Sequence, residues 1–144
     1  MTDLPPPRAS LPILLILARE TMLRELRPML AEAGLSEPQW RILRVLVEQG
    51  ALSVQDVATA ACLQATSVSR ILQSMVERGL VQRRQDSTNR RRQVVTATAQ
   101  GQALIARFAP VSRAVTDGFA DRFGPDRYAR LVALLDAFID DCSP

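Results

Sequence analysis

Residues 64–98 read QATSVSRILQSMVERGLVQRRQDSTNRRRQVVTAT, and the reading of this stretch decides the fold. Polar side chains come first, Gln64, Thr66, Ser67 and Ser69, interleaved with Val68, Ile71, Leu72 and Met75 at helical spacing. The pattern predicts a helix from Ala65 or Thr66 with one apolar face, ended by Gly79, the residue type best suited to the turn after a helix. Residues 80–84 and 93–98 then read as short strands, with the polar run 85–90 as a hairpin tip.

Upstream, residues 11–30 place Leu14, Leu17, Met22, Leu26 and Leu30 at roughly helical spacing. Pro28 is expected to kink or shorten that helix, and Ala33-Gly34 to end it. Ser36, with Pro38 close behind, predicts the start of a second helix with Trp40, Leu43 and Val47 inward, stopped at Gln49-Gly50. Ser53 starts a third, with Asp56 in its first turn, where the helix dipole favours an acid. It runs to about Ala61, and residues 62–64 link it to the helix at 65.

Downstream, a long helix after Gly101 carries Leu104, Phe108, Val111, Val115 and Phe119. Gly124-Pro125 breaks it, and a last helix shows Leu131, Leu134, Leu135 and Phe138 as a buried stripe. The fold class is mainly α with a small β-hairpin wing, a winged helix-turn-helix with flanking dimerisation helices. Residues 1–10, with Pro5, Pro6 and Pro7, read as a flexible N-terminal arm. Residues 11–34 and 99–141 are expected to form a helical dimerisation region, and residues 35–98 a winged helix-turn-helix lobe, an architecture suited to DNA binding. Two apolar helical flanks from opposite chain ends are most simply covered by a second copy of the chain.

Charge is unevenly spread. Between Thr66 and Arg92, seven arginines face only Glu77 and Asp86, a net +5; the other eleven bases and thirteen acids leave −2. Positive charge concentrated on one helix and the hairpin after it is the footprint expected for nucleic acid. The candidate DNA contacts are Ser53, Gln64, Thr66, Ser67, Ser69, Arg70, Arg83, Arg84, Arg90, Arg91 and Arg92. Short polar groups at a helix N-terminus reach base edges in a major groove, and an arginine-rich tip suits the minor groove. A solvated polar face with ordinary capping residues is the plainer reading of the helix taken alone.

Composition excludes several chemistries. The 144 residues suffice for one domain with a real core, 47% being hydrophobic. There is no histidine, which removes Ser-His-Asp and Cys-His nucleophilic sites and histidine-ligated metals. Asp140 and Asp141 are adjacent and point to different helix faces, so they form no acid/base pair. No glycine-rich phosphate loop exists. No catalytic residue, metal ligand or cofactor is expected. Cys62 and Cys142 lie far apart without metal spacing, and read as half-buried thiols in a reducing cytoplasm or, alternatively, as a redox sensor at Cys62. The longest apolar run, residues 11–18, is too short to span a bilayer, so the chain reads as cytoplasmic with no membrane partner.

Three stretches carry a family resemblance. Leu35-Ser36, Gln39-Trp40-Arg41, Leu43 and Leu46 resemble the second helix of MarR-family transcription regulators. Ser67-Val68-Ser69-Arg70-Ile71-Leu72, then Glu77, Gly79-Leu80-Val81 and Arg83, resemble the family's recognition helix and first wing strand. Asn89, Arg91-Arg92, Val95, Ala97-Thr98 and Gly101 resemble its wing and fifth helix. The resemblance spans roughly residues 10–140. It implies a homodimer, joined by the first, fifth and sixth helices, that binds a palindromic operator in double-stranded DNA and usually represses. It also implies that Arg91 enters the minor groove and that Ser67, Ser69 and Arg70 lie at recognition-helix contact positions. The family usually has aspartate at Asn89, an acid that braces the wing arginines, and leucine at Ala97. Ala18-Arg19-Glu20, Arg27-Pro28, Gly34-Leu35 and Gln39-Trp40-Arg41 are similar to HpaR-type members, which control catabolism of hydroxyphenylacetate and homoprotocatechuate. Cys62 also matches that subgroup, which implies a packing role.

The family pattern further implies a small aromatic carboxylate effector. Arg19 would hold the carboxylate, Trp40 or Met22 would face the ring, and Arg41 or Arg44 would assist. The alternatives are that Trp40 is plain core and that Arg19 pairs with Glu20. The functional expectation is a dimeric, sequence-specific repressor released by an aromatic acid. Its rivals are constitutive DNA binding, thiol sensing on the same fold, and docking of the basic segment on an acidic protein.

Overall fold

In the computed structural model, which describes residues 3–144, six helices and a three-stranded sheet follow a single turn of 3-10 helix at Pro7–Ala9. The helices are α1 (Leu11–Ala33), α2 (Glu37–Gln49), α3 (Val54–Ala60), α4 (Ala65–Glu77), α5 (Ala99–Phe123) and α6 (Pro125–Cys142). The strands are β1 (Leu52–Ser53), β2 (Val81–Gln85) and β3 (Gln93–Ala97). The fold class is thus as read from the sequence. Residues 1 and 2 of the expected arm lie outside the described residues, and the rest of it is mostly exposed.

By packing, the chain forms two compact units: the N-terminal segment to Arg27 together with Val111–Pro144, and Pro28–Pro110. The second unit is wider than residues 35–98. It takes in the end of α1, where Met29, Leu30 and Ala33 are buried, and the start of α5, where Gly101, Ile105 and Phe108 are buried. A proline stands at each border, Pro28 inside α1 and Pro110 inside α5. Neither ends its helix. α1 continues past Pro28 to Ala33, against the expected shortening, and burial of Met29 and Leu30 offsets the missing backbone bond.

Local chemistry sets the elements of the Pro28–Pro110 unit. The Ser36 hydroxyl accepts from the Gln39 N–H, and the Gln39 side chain accepts in return from the Ser36 N–H, a capping box that fixes the start of α2. The Gln39 amide nitrogen also donates to Ser74 Oγ at 3.1 Å, tying α2 to α4. Gly79, at φ +73, lets the Leu80 N–H reach the Met75 carbonyl and closes α4. The inner face of α2 is Trp40, Ile42, Leu43 and Leu46; Val47, expected inward, is 38% exposed. With Val57, Val68, Leu72, Met75, Val81 and Val95 they make a core.

The sheet has the order β1-β3-β2, all antiparallel. Val81 pairs with Ala97 and Gln85 with Gln93, so residues 86–92 form the wing loop. The two-residue β1 adds a third strand to the expected hairpin, pairing Leu52 with Val95. α5 starts at Ala99 rather than after Gly101. Thr98 explains this: its hydroxyl accepts from the Gly101 N–H and donates to the Gly79 carbonyl at 2.6 Å, capping the helix against the end of α4. A Cβ at Gly101 would lie 2.2 Å from the Leu80 carbonyl oxygen, so only glycine fits where α5 meets β2.

In the other unit, Arg122 makes two bonds to the Glu25 carboxylate, at 2.8 and 3.0 Å, joining α5 to α1, and stacks over the Phe119 ring. No hydrophobic side chain described in this unit is buried. The expected α6 stripe is open in the single chain, with Leu131 at 44% exposure, Leu134 at 63% and Phe138 at 48%.

Candidate nucleic-acid interface

α3, the turn after it and α4 form the helix-turn-helix. Ser53 caps α3, its hydroxyl accepting from the Asp56 N–H at 3.1 Å. The turn between the helices passes through Cys62 at φ +57, the one non-glycine residue in the left-handed region among those described. Arg41 of α2 holds that turn, with Nη1 donating to the Cys62 carbonyl at 3.4 Å and Nε lying 2.9 Å from Glu37 Oε1. The Cys62 thiol is exposed, as is Cys142, against the expectation of half-buried thiols. Cys62 serves the turn with its backbone and contributes no core packing.

α4 presents its N-terminal polar groups outward. Gln64, Thr66, Ser67, Ser69 and Arg70 are exposed while Val68, Leu72 and Met75 are buried, and no described hydrogen bond engages those five side chains. Arg83 of β2 behaves differently: half-buried, it donates to the Ser69 carbonyl at 3.0 Å and so ties the wing strand to α4. The side chains of Arg84, Arg90 and Arg91 are exposed, without a hydrogen bond or ion pair among the described residues. Arg92 forms an ion pair with Asp56 of α3 at 2.9 Å.

The wing loop is braced locally. Asp86 accepts from both the Thr88 N–H and the Thr88 hydroxyl, at 3.0 and 2.9 Å. Those bonds, first the backbone one, together with the positive field of Arg92, hold the Asp86 carboxyl below its usual pKa. Asn89, standing where the resemblance leads one to expect aspartate, accepts the Arg91 N–H at 3.1 Å. The amide therefore still shapes the loop backbone, while the carboxylate that meets a wing arginine comes from Asp56. The sequence reading missed Asp56 and Asn89 as site residues. A partner 36 residues away leaves no local signal.

The residues expected to meet an effector divide between the units. Arg19 is exposed and Met22 half-buried, both in the N-terminal part of α1. Glu20 pairs with Arg27 at 2.7 Å. Trp40 is a core side chain, 5% exposed, with little surface left to face a ring. Arg41 and Arg44 line one cleft of about 270 Å³ between α2 and α3, with Val45, Glu48, Gln49, Ala60 and Ala61. There Arg44 pairs with Glu48 at 3.2 Å. Among the described residues no group of three or more potential ligands is placed to hold a metal, and no helix is long and apolar enough to cross a membrane.

Comparison with known proteins places these observations. The sequence model of the MarR family matches residues 35–92. The homoprotocatechuate degradative operon repressor of Escherichia coli is 33% identical over 130 residues, 90% of this chain and 88% of that protein. The transcriptional regulator FarR of Neisseria gonorrhoeae is 41% identical over 96 residues, 67% of this chain and 66% of that one. Among solved structures, NadR in complex with 4-hydroxyphenylacetate has a TM-score of 0.82 at 33% identity, covering 95% of this chain and 97% of that one.

Proposed function

This chain belongs to the MarR family of DNA-binding transcription regulators, and from that premise we propose that it is a homodimeric repressor, released from a palindromic operator by a small aromatic carboxylate. The relatives are regulators of transcription, not enzymes. The observation that carries the DNA-binding surface is the pairing of an exposed polar N-terminus on α4 with the wing side chains Arg84, Arg90 and Arg91, which have no ion-pair partner among the described residues. α4 lies in the major groove with Gln64, Thr66, Ser67, Ser69 and Arg70 toward base edges and phosphates, and Arg91 reaches into the minor groove. Ser53, at the N-cap of α3, meets the backbone.

Dimerisation is supported by the apolar side chains that the unit with α6 leaves uncovered, Leu134, Phe138 and Ile139 among them. Two copies bring two α4 helices to successive major grooves, which is why the operator is palindromic. The likeness to a homoprotocatechuate repressor and to a 4-hydroxyphenylacetate complex supports the effector class. Arg41 and Arg44, which line the cleft between α2 and α3, are the cations offered to its carboxylate in one unit, and Arg19 on α1 is a separate candidate. Release follows if the acid binds better to a dimer whose recognition helices no longer match the groove spacing.

The test is a fluorescence-anisotropy titration on the DNA upstream of the protein's own gene, with and without 4-hydroxyphenylacetate and homoprotocatechuate. Nanomolar binding relieved by an aromatic acid is expected. Tight binding indifferent to both acids would leave a constitutive regulator. Arg91→Ala should weaken binding and lower the salt slope by about one unit; an unchanged slope would remove the wing from the interface.

A further inference from the structure

The wing loop leaves β2 at Gln85 and rejoins β3 at Gln93. Most of its bonds are internal: Asp86 to Thr88, Asn89 to Arg91, and the Asp86 N–H to the Arg92 carbonyl at 2.8 Å. One side-chain contact leaves the loop among the described residues, from Arg92 Nη2 to Asp56 Oδ2 at 2.9 Å. Its far end is firmly placed. Asp56 sits in the first turn of α3 with its own N–H on Ser53 Oγ, and its neighbours Val57 and Ala58 are 0% and 4% exposed. The contact therefore ties a loop that has no fully buried side chain to a helix anchored in the core.

We propose that Asp56 and Arg92 form a strut that sets the wing against α3, so that Arg92 is a positioning residue for operator binding and Arg90 and Arg91 make the wing's contact with DNA. The proposal rests on the reading of this surface as a DNA interface, and deepens it by dividing three adjacent arginines into two roles. Arg92 has its charge matched by a carboxylate, whereas no carboxylate among the described residues meets Arg90 or Arg91. Both partners of the strut are about half exposed, at 47% and 54%, so the pair is modest in strength and weakens with salt.

Electrostatics without a strut predicts the opposite sign for one variant. Asp56→Asn removes a negative charge beside the phosphates and frees Arg92, which by charge alone tightens DNA binding. With the strut, the same variant weakens binding, by about two- to fivefold for an exposed ion pair. Arg92→Gln should weaken binding to the same extent while leaving the salt slope unchanged. A phosphate contact there would lower the slope by about 0.9. The double variant should be no worse than either single one, because both remove the same interaction.

The experiment has two arms. Operator affinity is measured across salt for wild type, Asp56→Asn, Arg92→Gln and the double variant. Amide hydrogen exchange is measured on the same full-length proteins without DNA. The Asp86 and Arg92 amide protons are expected to exchange about two- to fivefold faster in every variant, while amides of α2 and α4 stay as in wild type. Unchanged loop exchange would overturn the strut, as would tighter binding by Asp56→Asn or a reduced slope in Arg92→Gln. Wild-type protein that binds no duplex would overturn the DNA-binding reading and the positioning role with it. The exchange data would separate that failure from a missing strut.

Discussion

Between Pro28 and Pro110 the chain encloses most of its large apolar side chains within itself, Val47 excepted; on either side of that segment it leaves many of them open. Ile42, Leu43, Val57, Val68, Leu72, Met75 and Val95 are 0% exposed, all in the first region. The second holds Ile16 at 67%, Leu134 at 63% and Ile139 at 58%, with no buried hydrophobic residue among those described. The difference lies in arrangement more than composition. Short helices crossing a sheet make a closed core from one copy, while three long amphipathic helices present stripes that one copy cannot cover. On the proposed homodimer, stability of the first region is a property of the monomer, and that of the second depends on concentration.

The sharpest way to break this comparison is to damage the closed core. Leu43→Ala should lower unfolding free energy by about 2–5 kcal/mol in urea denaturation. Gly101→Ala, which drives a methyl onto the Leu80 carbonyl, should fall in the same range or lower expression altogether. Loss below 1 kcal/mol for both would mean the region is loosely packed. The paired substitution in the open region, Leu134→Glu, should barely affect a dilute monomer but should halve the mass seen by sedimentation at micromolar concentration. It should also abolish the dependence of Tm on concentration. A Leu134→Glu protein that still sediments as a dimer would place the second copy elsewhere.

A smaller effect sharpens the account of the first region. Cys62→Gly relieves a left-handed backbone and should raise stability by up to about 1 kcal/mol, whereas Cys62→Val should lower it. The smallest effect is the pH response of the wing. Asp86 has its folded pKa depressed below the usual value, so its contribution is present above the unfolded pKa and is lost as pH falls through the folded one. The Thr88 amide shift, followed by NMR, should therefore titrate below the ordinary carboxylate range. In Thr88→Ala, which keeps the backbone bond but loses the hydroxyl one, the midpoint should move upward.

Features carried by neighbouring residues were legible in advance. The α4 helix lies where the spacing of Val68, Leu72 and Met75 placed it, and the Ser36 and Ser53 caps act as residue type predicts. Elements that depend on distant partners were not. β1 has two residues, too few for any alternation, and exists because Val94 and Val95 are there to pair with it. The second bond of Thr98, to the Gly79 carbonyl, and the Arg92 pair with Asp56 join residues far apart in sequence, although the Thr98 bond to the Gly101 N–H is local. Trp40 shows a further limit. Its position on α2 fits both a ligand-facing ring and a core residue, and only its burial separates them. The α6 stripe, open in the single chain, is the face that the sequence reading assigned to a second copy, and a single chain does not test that assignment.

The alternation along α4 has an evolutionary consequence. Thr66, Ser67, Ser69 and Arg70 touch solvent while the intervening Val68 and the following Leu72 carry the packing. On the proposed DNA-binding reading, substitutions at the outward positions change what the helix can read without disturbing what holds it in place. A lineage carrying this fold can therefore drift to new binding sequences by single steps, each of which leaves a folded protein for selection to act on. Duplicated copies can diverge in target long before they diverge in shape.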